Sequence, residues 1–476
     1  MNTSIPTNHN YYEECSLNEK QLKTQFGVQS SKQIGDIQKN LFSSTFEFNT
    51  KNNSLEQIQI FGFKNQRNKL EDEEQLILKL YSKESSDEGK KYIIQTGLFA
   101  GIIYHKGYQF NIVTPYGDAF LKRMLNFVND IYIDNQDSKA SKSEQTNEFQ
   151  NIIAYLFIQT LEKASVLGLP KIYQQQTQRS HKVRGKIDVN AYLKREMPFL
   201  GKLTTTYREQ KYIQEIIDVL FLTCKKLEQN FGKEIHCKIL GTYQLLKQNY
   251  SGNYINNDII VKAKNHTVLQ NPIFEPFKKV LNYAEILLKD QSLVVKNQEN
   301  KMKTYGYLFD ISQLFELYLE KLLRKHFSDW QVTSQEELQV YQNMFFKRKM
   351  FPDLVMRHKE TNQVIVFDAK FKKMRLLKND LDRDDFYQIH SYIQYYQKKT
   401  LFGGLLYPLS TPFHKNHDLL NGLFGDETNH VKFIVDGVYV NEKMGMNEII
   451  VNEIIFLTRI ETLIHDSLNL IVKSVN

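Results

Sequence analysis

An α+β multidomain fold is predicted: a β-rich module near the N-terminus, a mostly helical middle, and a C-terminal α/β domain with a mixed central sheet. Three observations predict it. Short apolar runs with alternating polar positions follow one another between Leu55 and Pro115, the period-2 signature of strands. Apolar residues then recur at helical spacing over 149–166, 207–231 and 272–288. Finally, residues 351–357 and 364–370, both rich in Val, Ile and Phe, flank the polar segment 358–362. That pattern is two strands joined by a hairpin loop.

At 476 residues the chain is too long for one ordinary core, and two or three domains are expected. Residues 1–55 are rich in Asn, Gln and Ser, with weak helical periodicity near 19–26, and are expected to form a polar, variable, partly mobile arm or a small variable subdomain. The β-rich module covers 56–132, with strands near 55–63, 75–81, 91–103 and 107–115, the last ending at Pro115, then a helix over 118–131. The polar run 133–148 is expected to be a flexible loop. Residues 149–300 form the mostly helical middle, whose first helix stops at Gly168-Leu169-Pro170. The C-terminal domain, 301–476, adds a helix over 308–327 to the hairpin. Further strands are expected near 405–408 and 431–440, the latter as an edge strand or hairpin arm, and a closing helix over 454–472.

Hydrophobic residues at 41% and charged residues at 24% are globular proportions and exclude a disordered chain. The net charge of +8 is spread over the whole length, so it permits a polyanionic partner without establishing one. Cys15, Cys224 and Cys237 make no C-x-x-C pair, which excludes a disulfide framework and an all-cysteine zinc site and fits a reducing cytoplasm. The first ten residues are polar, so no signal peptide is expected. The best apolar run, 216–224, is short and holds Asp218, so no membrane span is expected either. The chain contains no G-x-x-x-x-G-K-[ST] run, so any nucleotide-driven step is expected to come from elsewhere or from a part of the chain that carries no recognisable motif.

The chemistry converges on the hairpin. Side chains alternate along a strand, so Asp368 and Lys370 share a face with Val364 and Val366, while Ile365, Phe367, Ala369 and Phe371 take the other. Antiparallel pairing brings Asp353 beside Asp368. Two carboxylates on rigid strands suit Mg²⁺ (or Mn²⁺), a hard cation that keeps several waters for phosphate substrates. A lysine beside the ion can orient or deprotonate a water and meet charge developing on a phosphate. A bare D-x-K is more often a strand end placing charges in solvent; Pro-Asp at hairpin distance, within apolar strands, shifts the balance.

The order Pro352-Asp353, then Asp368-x-Lys370, resembles the motif of the PD-(D/E)xK nuclease superfamily. The resemblance implies a Mg²⁺-dependent DNA endonuclease in which Asp353, Asp368 and the Ala369 carbonyl ligate the metal and Lys370 positions the attacking water. That superfamily often adds an acid from a preceding helix, and Glu316, at the edge of the stripe Leu308, Ile311, Phe315, Tyr318, Leu319, Leu322, is the candidate. An ordinary solvated helix glutamate is the competing reading. Gln388 and Tyr392 lie four apart on an expected helix and resemble the Q-x-x-x-Y element of RecB-type nucleases, which supports the site and touches DNA.

A second resemblance is independent of the first. The runs 97–103, 110–115 and 120–125, followed by Arg184-Gly185-Lys186-Ile187-Asp188 and then Tyr207-Arg208-Glu209, are similar to segments of the McrC family, the nuclease subunit of McrBC-type modification-dependent restriction systems. Tyr116 stands where that family usually has lysine, so no role for that lysine carries over. Lys182, Arg184 and Lys186 alternate and are expected to form a basic strand face, able to meet phosphates, a partner or solvent. The resemblance implies double-stranded DNA carrying modified bases as substrate. It also implies a hexameric AAA+ GTPase (McrB-like) partner that uses GTP or ATP and is stimulated by the N-terminal half of the subunit. Two alternatives are an adaptor of an AAA+ NTPase with a vestigial nuclease domain, and a stand-alone RecB-type repair nuclease. The intact Asp353, Asp368 and Lys370 weigh against the first, and the N-terminal similarities against the second.

Overall fold

The run Phe99–His105 is buried at every position, which a strand achieves only inside a sheet covered on both faces. In the computed structural model it is the central strand of five, ordered Asn2–Pro6, Tyr108–Val113, Phe99–His105, Tyr305–Asp310, Ile58–Phe61. The structure describes residues 2–51, 58–62, 75–85, 89–129, 144–254, 256–289, 304–341, 348–373, 381–396, 399–412, 421–423 and 431–475. Gly101 marks the closest approach in this sheet: its φ is 143°, and a Cβ there would stand 2.1 Å from the Tyr307 carbonyl oxygen.

Two compact units divide the chain. One comprises Met1–Asp130, Lys142–Phe149 and Gln298–Asn476, and the other is built on Gln150–Asn297. Residues 56–130 of the expected module 56–132 therefore share a unit with the segment 301–476, expected as a separate domain. The reason is Tyr305–Asp310, which pairs antiparallel with Phe99–His105 and parallel with Ile58–Phe61. Leu308, expected on a helix, belongs to this strand, and the helix begins at Ile311 with Asp310 as its N-cap.

Residues 1–55 are not a mobile arm where they are described. Asn2–Pro6 pairs parallel with Tyr108–Val113, and Phe46–Asn49 joins a four-stranded sheet with Leu76–Ser85, Gly89–Thr96 and Ser16–Leu17. The helices Glu19–Phe26 and Ser31–Phe42 bury Leu22, Phe26, Ile34, Ile37 and Leu41 in one core with Leu80, Ile94 and Phe110. Asn18 and Gln21 close the first of these helices with a capping box. The polar composition belongs to the outer faces of amphipathic helices.

In the C-terminal part, six strands form a mixed sheet ordered Trp330–Ser334, Leu354–His358, Val364–Ala369, Thr400–Leu409, Lys432–Tyr439, Asn421–Gly422. The first three are antiparallel, and Val364–Ala369, Thr400–Leu409 and Lys432–Tyr439 run parallel. Lys432–Tyr439, expected as an edge strand or hairpin arm, thus lies inside the sheet, with the two-residue Asn421–Gly422 beyond it among the described residues. The helix Arg383–Tyr396 covers one face, packing Ile389, Tyr392 and Ile393 with Val355, Val364, Val366 and Leu405.

Helices Asp118–Asn129, Ile311–His326 and Met446–Val475 are tied together by one buried ion pair. Arg123 donates from Nε and Nη2 to the Glu453 carboxylate at 2.7 and 2.6 Å, and Tyr318 Oη donates to the same Glu453 at 2.7 Å.

The second unit joins helices, among them Gln214–Phe231, Leu240–Asn249, Asn257–Lys264 and Phe277–Lys289, to a three-stranded sheet. Its long pair, Lys171–Ser180 with Leu203–Tyr212, is antiparallel over ten residues, so Tyr207 to Tyr212 is strand where helix was expected. Within the loop expected over 133–148, residues 133–143 lie outside the described residues, and 144–148 open the helix Glu144–Ala164. The basic residues do not share one strand face, because only Lys186–Ile187 is strand. Arg184 instead lies over the Tyr207 ring at 4.2 Å and 3.5 Å from Glu209. Gly185 has φ of 79°, and a Cβ there would meet the Thr206 oxygen at 2.4 Å; Asp188 caps the helix Val189–Arg195 through the Ala191 N–H. Gly185→Ala is therefore expected to cost at least about 1–2 kcal/mol, and Asp188→Ala about 1 kcal/mol, as read by urea unfolding. No helix of the described residues is long and apolar enough to cross a membrane.

Candidate active site

The hairpin turn places the acids. His358 N–H donates to the Gln363 carbonyl and Asn362 N–H to the His358 carbonyl, with Asn362 at a positive φ of 56° that asparagine tolerates. The resulting register, Leu354 opposite Phe367 and Arg357 opposite Val364, carries Asp353 alongside Asp368. The Ala369 N–H donates to Asp353 Oδ2 at 3.0 Å, which fixes that carboxylate against the neighbouring strand. Phe371, on the opposite face, packs against Phe315 and Tyr116.

Asp353 and Asp368 are 6% and 0% exposed, so two carboxylates face each other out of water. Neither Asp368 oxygen receives a well-aligned hydrogen bond among the described residues, although the Lys370 ammonium stands 2.6 Å from Oδ2. Burial, and then the Asp353 charge, raise the Asp368 carboxyl well above the usual carboxylate range; Lys370 opposes this only in part. Burial works against the charge on Lys370, but Asp368, Asp385 and Asp353 together outweigh it and hold the ammonium above its ordinary range.

Lys370 donates to Gln388 Oε1 at 2.9 Å, Gln388 Nε2 donates to Tyr392 Oη at 2.8 Å, and Tyr392 Oη donates to the Phe351 carbonyl at 3.2 Å. The two residues of the Q-x-x-x-Y element thus form a relay from the lysine back to the start of the hairpin. Burial pushes the Tyr392 hydroxyl up to about 12, so it remains a hydrogen-bond donor. Glu316 is half-buried and meets Asp353 through an intermediary. The Gln335 amide donates to Asp353 Oδ1 at 2.8 Å and to Glu316 Oε2 at 3.3 Å.

Two residues escaped the sequence reading. Gln335 sits in a loop at a positive φ of 56°, its N–H donating to the Pro352 carbonyl, and a lone loop glutamine carries no pattern. Asp385 is a buried acid in the first turn of Arg383–Tyr396, 3.2 Å from Lys370, and its spacing to Gln388 and Tyr392 was the available signal.

The donor set fits a hard cation. It is all oxygen, it contains a buried carboxylate whose oxygens receive no aligned hydrogen bond, and the burial and neighbouring Asp353 charge that raise Asp368 are what a divalent ion would offset. Among the described residues no cluster of three or more His, Cys, Asp or Glu surrounds a single point, so Asp353 and Asp368 are the two carboxylates that could hold a cation here.

A family model described as McrBC 5-methylcytosine restriction system component matches residues 69–408. No curated protein matches the chain. Among solved structures, one similar chain comes from the refined half-complex of a tetradecameric assembly of Thermococcus gammatolerans McrB AAA+ hexamers with bound McrC. It has 14% identity and a TM-score of 0.47, over 97% of this chain and 100% of that one. Another comes from the cryo-EM structure of the T. gammatolerans McrBC complex, at 13% identity and a TM-score of 0.28, over 70% and 89% of the two chains. The family match spans well over half of the chain and takes in the hairpin, Gln388 and Tyr392, and this protein belongs to the family of McrBC 5-methylcytosine restriction system components, in agreement with its McrC resemblance.

Proposed function

We propose that this restriction-system component is the Mg²⁺-dependent DNA endonuclease subunit, of PD-(D/E)xK type. The observation that carries the proposal is the convergence of Asp353, Asp368 and Lys370 at one end of a buried hairpin, with the lysine 2.6 Å from Asp368. Asp353, Asp368 and the Ala369 carbonyl would hold the ion. Bound Mg²⁺ would supply Lewis-acid polarisation of the phosphate and a more acidic water. Lys370, kept cationic by three carboxylates, donates a proton-bearing N–H to the attacking water or to a phosphate oxygen, where negative charge grows in the transition state. Gln388 and Tyr392 fix the direction of that donor. Glu316, coupled through Gln335, biases Asp353.

The substrate would be double-stranded DNA with modified bases. A hexameric AAA+ GTPase of the McrB kind would gate cutting, because the chain has no phosphate-binding loop and unregulated cleavage would damage the host. The strand-rich segment 55–115 and the helix after it would dock on that partner. The test mixes wild type or Asp353→Asn with the AAA+ protein encoded beside it, on methylated and unmodified DNA, with Mg²⁺ and GTP or ATP. Wild type should cut methylated DNA only with partner and nucleotide. Asp353→Asn should not cut yet still stimulate phosphate release, since the candidate site and the docking segment lie on different sheets. Robust cutting of unmodified DNA by the lone protein would favour the RecB-type alternative, and stimulation without cutting by wild type would favour the adaptor.

A further inference from the structure

The catalytic proposal gives the buried acid beside Lys370 no task beyond its charge. Asp385 is 6% exposed and lies in the first turn of Arg383–Tyr396. Its Oδ1 stands 3.2 Å from Lys370 Nζ, its Oδ2 pairs with Lys372, and Tyr407 Oη donates to Oδ2 at 3.5 Å. Asp385, Gln388 and Tyr392 are spaced i, i+3, i+7 and so form one stripe of the helix. An ammonium has three N–H donors. Lys370 Nζ has three oxygen neighbours within 3.2 Å: its ion-pair partners Asp368 Oδ2 from the hairpin and Asp385 Oδ1 from the helix, and its hydrogen-bond acceptor Gln388 Oε1, also from the helix. Two of the three directions that fix the nitrogen are therefore set by the helix, and the third, toward Asp368, is the one that a water or phosphate oxygen would take.

We propose that Asp385 is a positioning residue: with Gln388 it clamps Lys370 from the helix side and aims its ammonium along the Asp368 carboxylate. This rests on the nuclease proposal for Lys370. A purely structural ion pair, pinning helix to sheet through Lys372, is the competing role. The two differ in what removing the charge does. A positioning residue governs the reacting geometry after DNA is bound, so its loss lowers kcat and leaves KM alone. A structural pair governs stability.

The experiment measures DNA cleavage in the full complex with the AAA+ partner for wild type, Asp385→Asn and Asp385→Glu, alongside the melting temperature and partner stimulation. Asp385→Asn is expected to lower kcat by about 10²-fold, with KM for DNA, partner stimulation and folding retained. Asp385→Glu, which restores the carboxylate one methylene further out, should recover most of that loss. Wild-type kcat in Asp385→Asn overturns the proposal. So does a loss of activity that tracks a fall in melting temperature or appears in KM. An inactive wild-type complex would instead sink the nuclease assignment, which keeps the two failures separate.

Discussion

Asp368→Asn is expected to abolish DNA cleavage and, in chelator, to raise the melting temperature. The two effects share one cause. Asp368 is fully buried beside Asp353, its oxygens lack aligned donors, and burial and that neighbour raise its carboxyl well above the usual range. A folded-state value above the unfolded one means that the folded chain binds the proton more tightly. The stability this confers is complete below the unfolded carboxylate range and is lost as pH rises through the folded value. In EDTA the wild type should therefore lose stability relative to Asp368→Asn as pH rises above the unfolded carboxylate range and through the raised folded value. Added Mg²⁺ should reverse the ranking by stabilising the wild type alone. The cleavage loss should be no smaller than the roughly 10²–10⁴-fold typical of a lost proton-handling group, and the same holds for Lys370→Ala. Differential scanning fluorimetry with and without Mg²⁺ reads the first effect, and a gel assay with the partner reads the second. An Asp368→Asn protein less stable than wild type in EDTA at alkaline pH would remove the basis for placing a cation there.

The largest loss of stability is expected at Arg123 and Glu453. The pair is bidentate and nearly inaccessible, and Tyr318 adds a third hydrogen bond, so deleting either charge leaves the other buried without its counter-ion. Such deletions cost about 3–5 kcal/mol. Arg123→Ala or Glu453→Ala should lower the melting temperature by roughly 10 °C for a unit of this size. The double variant Arg123→Met/Glu453→Leu should be milder than either single one, because no charge is then stranded. Thermal unfolding of the three variants decides it: additive losses would mean that the pair is not coupled.

The candidate site was more legible than the architecture around it, and the reason lies in distance along the chain. Asp353, Asp368 and Lys370 sit on one hairpin, where local alternation and loop length set the register. Gln388 and Tyr392 follow on one helix whose period is itself local. Tyr305–Asp310 was read into the wrong element because its partners are strands far earlier in the chain, and no local pattern encodes that pairing. The helix Ser31–Phe42 was hidden for another reason. Ile34, Ile37, Leu41 and Phe42 are few among Gln, Asn and Lys, yet four such positions suffice when a sheet waits to cover them. The strand Leu203–Tyr212 is mostly solvated, so it lacks the apolar alternation by which strands are recognised.

The place of Tyr305–Asp310 in the first sheet has a consequence for synthesis. Phe99–His105 leaves the ribosome about 200 residues before the strand that closes its second edge. At about 5–20 residues per second, that interval lasts on the order of 10–40 s. Throughout it, a strand apolar at nearly every position carries one unpaired edge, the template on which chains add to one another. Folding of this unit cannot finish from the N-terminus onward, and a nascent chain stalled within 131–297 would be exposed to aggregation that the completed protein escapes.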